Sequence, residues 1–315
     1  MNKPTLSVII TTYNRAESLR MTLACLAAAY RPDLPAEVIV VDNGSTDHTR
    51  QVVEEFRGRF TLKWLEETVV GKGACLNRAI ESGPLGELVA VLDNDMSPDA
   101  SWFEGVSAIS TRRPDCDYFG GDIHVIWPEG PLPAWTQAPA IQGWAYSAFN
   151  RGSNADQPIQ TGNWLCGGNF WFRSRVLQNG LRFENVWLAE ARFILQLQER
   201  GARGIAAPDA RAGHRIQPQL LRRDVLLERA KKVGAGFAEL RMRSGTITKQ
   251  GRLLRRNPLL FYAVCTTGLL YWSCVRVLAH ARLSPLRFAH ILHATERATA
   301  YLTFLRMAPG KRTRD

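Results

Sequence analysis

Two carboxylates, Asp93 and Asp95, follow directly after an apolar run at residues 89–92. Such a run predicts a buried strand, and an ionised carboxylate is costly to bury without a partner. The end of the strand must therefore open onto water or a metal ion. Hard oxygen ligands suit Mg²⁺ or Mn²⁺, which take their remaining ligands from water and substrate phosphates. The pattern indicates a divalent cation site, with a solvated turn or a helix N-cap as the alternative.

Predicted strands and helices alternate along the segment that leads to these carboxylates. The strands are expected at residues 6–10, 37–41, 62–65 and 89–92, and the helices between them at 16–29, 49–56 and 74–81. This alternation predicts an α/β fold with a parallel sheet and helices on both faces. Ligands of such sheets gather beyond the carboxyl ends of the strands. Thr11, Asp42 and Asp93, each just after a strand, are therefore expected to line one crevice.

Four short motifs in the first 95 residues carry a family resemblance. They are SVIITTYNR at 7–15, VVDNGSTD at 40–47, GKG at 71–73 followed by LNRA at 76–79, and LDND at 92–95. Together, these motifs resemble the family 2 inverting glycosyltransferases of GT-A fold. The resemblance implies a mostly parallel central sheet flanked by helices over residues 1–220, followed by an α-helical extension over residues 221–315.

The resemblance also implies roles for individual residues of the donor site. Those at the nucleotide would be Thr11, Tyr13, Glu17, Asp42, Lys72 and Asp93, with Asp95 at the metal. Asp42 would accept a hydrogen bond from a uracil-type base, Lys72 would approach the pyrophosphate, and Asp93 the ribose or diphosphate. The alternatives are an Asx turn through Asn43 and Gly44 for Asp42, and a solvated surface position for Lys72.

The acceptor side resembles the family less completely. The small-residue acceptor segment of the family matches Trp164, Gly167, Gly168 and Asn169. The family's Glu-Asp pair falls on Ala189 and Glu190, so Glu190 is the implied general base, and Arg192 replaces a frequent acidic residue. A glutamate can serve as base if its reach and pKa suit the reaction. The alternative is that Glu190 only caps a helix.

His214 follows a predicted strand and turn at residues 205–210. In the family, a histidine at this place reaches back to the metal, and imidazole is an acceptable ligand for Mn²⁺. The alternative is a purely structural histidine. The segment HRIQP at 214–218, with the basic helix after it, is similar to a bacterial subgroup implicated in exopolysaccharide assembly.

Between these motifs, residues 127–135 contain three prolines and two tryptophans. Three prolines in nine residues exclude regular structure. The aromatic rings would either stack on a sugar or lipid-linked acceptor, or pin the loop to the body of the protein. The residues before this loop are expected to provide core side chains, Trp102 and Phe103, and a strand at 119–125.

Charge separates the body of the chain from its C-terminal part. Residues 1–210 carry 19 Lys and Arg against 24 Asp and Glu, residues 211–256 carry 13 against 3, and residues 257–315 carry 8 against 2. Residues 259–275 contain no charged side chain, and a second mixed helix is expected at about 286–307. Basic flanks beside an apolar helix favour docking on an anionic membrane surface over crossing it. A buried hairpin or a homodimer contact is the alternative, and no nucleic-acid motif is found.

The cysteine spacing and the N-terminal residues indicate the cellular compartment of the protein. The six cysteines show no CxxC spacing, so a zinc site and a disulfide framework are both disfavoured. Residues 1–5 are too few for the apolar region of a secretory signal, so the expected location is the cytoplasm, peripheral on the inner face of the cell membrane.

The sequence therefore leads to a functional hypothesis. It is an inverting transfer of a sugar from a nucleoside-diphosphate sugar, UDP-linked, to a hydroxyl of a saccharide or lipid-linked acceptor in cell-surface polysaccharide or glycolipid synthesis. The alternative is a non-catalytic protein that binds nucleotide-sugars or acts as a scaffold in a membrane polysaccharide assembly.

Overall fold

The computed structural model describes residues 5–148, 158–159, 167–243, 258–281 and 287–307. Contacts between Cα atoms divide the chain into two compact units. The first unit comprises Met1–Ile126 and Phe149–Arg215, and the second comprises Trp127–Ala148 and Ile216–Asp315.

Eight strands, nine α-helices and three short 3₁₀ helices are found among the described residues. The strands are β1 (Leu6–Thr12), β2 (Ala36–Asp42), β3 (Thr61–Glu66), β4 (Leu88–Leu92), β5 (Met96–Pro98), β6 (Tyr118–Ile126), β7 (Asn169–Arg173) and β8 (Gly204–Arg215). The helices are α1 (Ala16–Ala29), α2 (Thr49–Glu55), α3 (Lys72–Glu81), α4 (Trp102–Arg112), α5 (Pro139–Tyr146), α6 (Ala189–Glu199), α7 (Arg223–Arg243), α8 (Pro258–Ala281) and α9 (Arg287–Arg306).

The strands of the first unit form one mixed sheet in the order β3-β2-β1-β4-β7-β6-β8-β5. The first four strands in this order pair in parallel, as the alternation of strands and helices predicted. Strand β7 is antiparallel to both of its neighbours, and β5 is antiparallel to β8. The predicted mostly parallel sheet is therefore found on one side, and a mixed sheet continues from it.

Both faces of the parallel part are buried. Successive residues of β1 point to opposite faces, so that Val8 and Ile10 join one apolar cluster while Ile9 joins the other. Burial on both faces explains why these strands are continuous apolar runs without alternation. Trp102 and Phe103 are buried in the first cluster, which confirms their predicted place in the core.

A strand and turn were predicted at residues 205–210, and the whole stretch lies instead within the twelve-residue strand β8. The register against β6 shifts there: Gly121 pairs with Ala207, whereas Ile123 pairs with Ala212. The irregularity accommodates Pro208, whose nitrogen cannot donate to a strand ladder. As a result, β8 continues far enough for His214 to pair with Met96 of β5.

The second unit is helical. Helix α9 packs against both α7 and α8, and small residues allow the close approach. A Cβ on Gly234 of α7 would meet the backbone of Glu296, and a Cβ on Gly268 of α8 would lie 2.5 Å from the Tyr301 ring.

The proline-rich loop belongs to this second unit, and its aromatic rings pack inward. Trp135 is 4% exposed, and its ring lies edge-on to Phe288 with the centroids 4.8 Å apart. Trp127 lies edge-on to Tyr146 at 4.9 Å. Of the two interpretations of this loop, these contacts support the one in which the aromatic side chains pin it.

Helix α8 exposes much of its apolar surface. Five apolar side chains are at least 60% exposed: Leu259, Leu270, Tyr271, Val277 and Leu278. Among the described residues, the stretch Phe261–Ala279 is long and apolar enough, by length and composition alone, to cross a membrane, and 11% of it is buried.

Candidate active site

The two carboxylates lie on a short connection between β4 and β5. The backbone N–H of Asp93 donates to Gly168 O at 3.2 Å, and the carbonyl of Asp93 accepts from Met96 N at 3.1 Å. Between them, Asn94 points inward and donates to Thr12 Oγ1 at 3.1 Å. The connection is therefore tied to the ends of β1 and β7, and the two aspartates lie at the carboxyl edge of the sheet.

The Arg215 guanidinium also contacts the connection between β4 and β5. It donates to the carbonyl of Met96 at 2.8 Å and to that of Asn94 at 3.3 Å. It also donates to Ser18 O at 2.8 Å and to Thr22 Oγ1 at 2.7 Å, both on α1. The Arg215 backbone N–H donates to Asp95 O at 3.0 Å. One half-buried cation thus joins α1, β8 and the aspartate connection, which fixes the position of Asp95.

Asp95 faces His214 and Arg15. Its Oδ2 lies 3.7 Å from His214 Nε2 and 3.4 Å from Arg15 Nη1. Burial acts to raise the pKa of Asp95, but the neighbouring His214 and the charges of Arg15 and Lys72 hold it below the ordinary value. Asp95 is therefore an anion, as a metal ligand must be.

The other carboxylate oxygen of Asp95 is suited to a cation. Asp95 Oδ1 is buried and has no hydrogen-bond partner among the described residues. A buried oxygen without a partner carries a desolvation cost that a hard cation would offset. No group of three or more His, Cys, Asp or Glu side chains is placed to hold a metal within the described part of the chain. Asp95 and His214 thus fit a site whose other ligands come from water and phosphate.

A second charged group joins the two halves of the site. The Lys72 ammonium pairs with Asp93 Oδ1 and also with Glu190 Oε1. Burial acts to lower the pKa of Lys72, but the charges of Asp93 and Glu190 outweigh it and raise this pKa above the ordinary value. For Asp93, burial and the charges of Asp95 and Glu190 raise the pKa against the opposing effect of Lys72. Lys72 is therefore not the solvated surface lysine that the sequence left open.

Glycines allow these charged groups to approach each other. A Cβ on Gly167 would lie 2.5 Å from Glu190 Oε1, and one on Gly168 would lie 3.1 Å from Asp93 Oδ2. At the start of α3, a Cβ on Gly73 would lie 2.7 Å from the Cα of Asn185. Any side chain at these positions would push the Lys72, Asp93 and Glu190 groups apart.

Glu190 lies in the first turn of α6 and is not the residue that caps it. The capping position is Leu188, at a positive φ of 62°. Arg192 turns away from Glu190 and pairs with Glu184, with 2.9 Å between Nε and Oε1. The Glu190 side chain is 13% exposed, so it has limited access to a hydroxyl group from solvent.

Of the other residues expected at the nucleotide, Thr11, Tyr13 and Asp42 lie at the ends of β1 and β2, whereas Glu17 lies in α1. Asp42 is 5% exposed; it accepts from Ser45 N at 2.9 Å and from the Ser45 hydroxyl. These contacts form the local turn that was the alternative reading of Asp42. Thr11 is partly exposed and Tyr13 is 58% exposed. Glu17 pairs on the surface with Arg20 and with His48, at 2.8 Å from His48 Nε2.

One of the expected acceptor residues, Asn169, is not brought to the site surface. Asn169 is 1% exposed, accepts from Trp102 Nε1 at 2.9 Å and donates to the carbonyl of Ala210 at 2.9 Å. Its side chain therefore supports the sheet beneath the site. Trp164 lies outside the described residues.

The sequence analysis did not single out three residues that organise this site. They are Arg15 beside Asp95, Arg215 below the connection, and Asn185, which donates to Val70 O at 2.9 Å. Asn14 is a fourth case, since it has a positive φ of 48° and accepts from Thr46 N at 2.7 Å. Only Asn14 had a usable signal, because asparagine after a strand tolerates the left-handed conformation.

Comparisons with known proteins agree with this geometry. A family model described as "Glycosyl transferase family 2" matches residues 7–180, more than half of the chain. The chain is 38% identical over 134 residues to glycosyltransferase AglE of Haloferax volcanii, a match that covers 42% of this chain and 43% of AglE. The chain spans less than half the length of the curated relatives it matches.

Solved structures show the same fold. The mannosyltransferase PcManGT from Pyrobaculum calidifontis, in complex with GDP-Man and Mn²⁺, aligns with a TM-score of 0.62 at 19% identity, covering 98% of this chain and 89% of that one. TarS residues 1–349 from S. aureus, in complex with UDP-GlcNAc, aligns with a TM-score of 0.53 at 16% identity, covering 98% and 93%. These structural neighbours confirm the predicted GT-A fold class.

Proposed function

Because the chain belongs to glycosyl transferase family 2, we propose that it transfers a sugar from a UDP-sugar to a hydroxyl acceptor, with inversion at the anomeric carbon. The observation that carries this proposal is the junction of Asp93, Lys72 and Glu190 at the carboxyl edge of the sheet. This junction supports the proposal because an ammonium that would bind the diphosphate and a candidate proton acceptor would lie near Asp95, the proposed cation ligand. Donor, cation and acceptor would then meet at one point.

In the proposed reaction, Glu190 takes the proton from the acceptor hydroxyl. The resulting oxygen attacks the anomeric carbon opposite the diphosphate, so the bond to the diphosphate breaks as the new glycosidic bond forms. A single in-line displacement inverts the configuration. The main electrostatic demand is the charge that develops on the leaving diphosphate. Lys72 would bind the diphosphate, and Asp93 the ribose or the diphosphate.

Asp95 and His214 are the residues that would hold the divalent cation. When bound, Mg²⁺ or Mn²⁺ would neutralise charge on the diphosphate leaving group. Support comes from the partnerless Asp95 Oδ1 and from the presence of Mn²⁺ in the complex of PcManGT. The Arg215 contacts would keep Asp95 in place for this role.

The remaining donor and acceptor assignments stay proposals. Thr11, Tyr13 and Asp42 would contact the nucleoside, with Asp42 accepting a hydrogen bond from a uracil-type base. UDP is favoured because TarS is described in complex with UDP-GlcNAc. The acceptor would be a saccharide or lipid-linked hydroxyl in cell-surface polysaccharide or glycolipid synthesis, which the resemblance to an exopolysaccharide subgroup supports. Gly167 and Gly168 would let it approach Glu190.

Ligand-induced stabilisation tests the donor site without knowledge of the acceptor. We expect the melting temperature to rise with UDP and UDP-sugars in the presence of Mn²⁺, and to rise much less without it. Stabilisation grows with the logarithm of ligand concentration over Kd, by about 2.7 kcal/mol at one hundred times Kd. Differential scanning against nucleoside diphosphates of uracil, guanine and adenine measures this. A shift with GDP alone would overturn the UDP assignment, and no shift with any of them would contradict the donor site.

We also propose that α8 docks the enzyme on the anionic inner face of the cell membrane. The support is the exposed apolar surface of α8 together with the basic balance of residues 211–315, 21 Lys and Arg against 5 Asp and Glu. Apolar contact and attraction to anionic lipid act together at such surfaces. A homodimer contact through the same face is the competing arrangement.

Vesicle binding distinguishes these arrangements. We expect the protein to co-sediment with phosphatidylglycerol vesicles and to be released by high salt. The double variant Leu270→Glu/Val277→Glu should weaken vesicle binding at least about tenfold, by analogy with the cost of placing a charge at an apolar interface. Val69→Glu changes an equally exposed residue of the first unit and serves as the matched control. Retention of the wild type in the supernatant, with a concentration-dependent dimer lost in the double variant, would support the dimer instead.

A second candidate function is a non-catalytic nucleotide-sugar-binding or scaffold protein. The observation that favours it is the altered base motif, in which Ala189 is buried and Arg192 pairs with Glu184. It predicts intact donor binding without turnover, and the effect of changing Glu190 separates the two functions.

A further inference from the structure

Lys72 lies between two carboxylates that the proposed function assigns to different tasks. Its ammonium pairs with Asp93 on the donor side and with Glu190 on the acceptor side. The side chains of Lys72 and Glu190 are 29% and 13% exposed, so water and salt screen their pairing less than at an open surface.

The pairing has a chemical consequence for Glu190. A carboxylate oxygen in contact with an ammonium group is blocked by that group from a hydroxyl, which a general base must reach within hydrogen-bond distance. A diphosphate carries more negative charge than one carboxylate and competes for the same ammonium. Donor binding and release of Glu190 are thus linked through one cation.

We propose that Lys72 is a donor-responsive positioning residue, which holds Glu190 in an ion pair while the donor site is empty and moves to the diphosphate when the donor binds. The move uncovers Glu190 as the proton acceptor. This inference rests on the proposed function and adds a coupling between its two halves. Such coupling is reciprocal. The Lys72–Glu190 ion pair therefore weakens diphosphate binding by the same factor by which the diphosphate weakens the ion pair.

The local structure allows Lys72 to move while Glu190 stays. Lysine has a flexible four-carbon stem, and Lys72 is the first residue of α3. Glu190 lies against Gly167 in the first turn of α6, whose backbone is fixed by the bond from Arg192 N to Leu188 O at 3.0 Å. The exchange therefore needs only a side-chain rotation.

The length of Glu190 gives a way to test the coupling. Aspartate at this position would keep the negative charge but withdraw it by one carbon–carbon bond, ~1.5 Å. With the helix backbone unchanged, the shortened carboxylate would lose its contact with Lys72. Glu190→Asp thus breaks the ion pair without removing the charge that a diphosphate would meet.

The experiment is calorimetric titration of UDP with Mn²⁺ present and no acceptor, so that no turnover is needed. In the Lys72 background, we expect Glu190→Asp to tighten the Kd of UDP roughly three- to tenfold, which is ~0.7–1.4 kcal/mol. In a Lys72→Met background, where UDP binding is weaker, Glu190→Asp is expected to change the Kd less than about twofold. Lys72→Gln replaces Lys72→Met if the latter does not fold.

Glu199→Asp makes the same change at an exposed position of the same helix and should leave the Kd unaltered. An unchanged Kd for Glu190→Asp in the Lys72 background would overturn the coupling, as would equal tightening in both backgrounds. If the wild type binds no nucleoside diphosphate at all, the proposed function itself is contradicted. Failure of the coupling and failure of the function are therefore distinguishable.

Discussion

Replacing Asp95 with alanine is expected to lower the rate of sugar transfer by about a thousandfold or more at saturating Mn²⁺. A bound cation contributes several kcal/mol of transition-state stabilisation in reactions of this kind, and each ~1.4 kcal/mol is a factor of ten in rate. At this edge of the sheet, the carboxylate oxygen Oδ1 of Asp95 is buried and has no hydrogen-bond partner among the described residues. Release of UDP from the UDP-sugar that gives the largest thermal shift is the measurement.

Asp99→Ala is the matched control for this variant. Asp99 lies just beyond β5 and is only weakly paired, with Oδ2 3.9 Å from Arg211 Nε. We expect its rate to stay within about twofold of the wild type, as is usual for surface changes. The Mn²⁺-dependent part of the thermal shift with UDP should also disappear in Asp95→Ala and remain in Asp99→Ala. Undiminished activity of Asp95→Ala would remove this residue from the site.

Replacing Glu190 with glutamine is expected to lower the transfer rate about 10²- to 10⁴-fold, the range that a positioned general base contributes. Glutamine keeps the shape beside Gly167 but does not accept a proton at neutral pH. Binding of UDP should be retained, because the substitution leaves the proposed donor-site residues Asp42 and Asp95 unchanged. Parallel measurements of turnover and of UDP binding give both quantities.

The matched control is Glu199→Gln, at the exposed end of the same helix, with an expected rate near that of the wild type. Loss of turnover in Glu190→Gln with binding retained would exclude the non-catalytic scaffold function. The scaffold function would be favoured by a different result. In that case the wild type binds UDP-sugar but shows no turnover with a broad set of acceptors, and Glu190→Gln behaves identically.

The parallel part of the sheet could be predicted from sequence because its signals are local. Apolar runs such as residues 37–41 and 89–92 identify buried strands by composition alone, and their parallel pairing follows from the helices between them. The predicted helix at 16–29 coincides with α1, Ala16–Ala29. Polar residues that directly follow such strands are then placed together by the topology, as Asp42 and Asp93 are.

The mixed part of the sheet and the pairing of Lys72 with Glu190 depend on contacts between residues far apart in the chain. Nothing near Lys72 indicates that its partner is Glu190, and the antiparallel course of β7 is set by neighbours on both sides. Asn169 illustrates the same limit, because a polar residue after two glycines suggested substrate contact while its amide satisfies carbonyls inside the sheet. Side-chain pairing of this kind is visible only once the fold is known.

The Arg215 contacts bear on the order in which this protein acquires its structure. Arg215 reaches Thr22 across 193 positions of sequence and Ser18 across 197, so the aspartate connection is completed by one of the longest-range contacts of the first unit. Long loops close late, because their entropy is lost before the contact compensates for it. During synthesis from the N-terminus, strands β1 to β4 emerge and pair well before Arg215 exists. We therefore expect the nascent chain to pass through a stage with a formed half-sheet and an unanchored connection between β4 and β5, which is fixed only after β8 has docked.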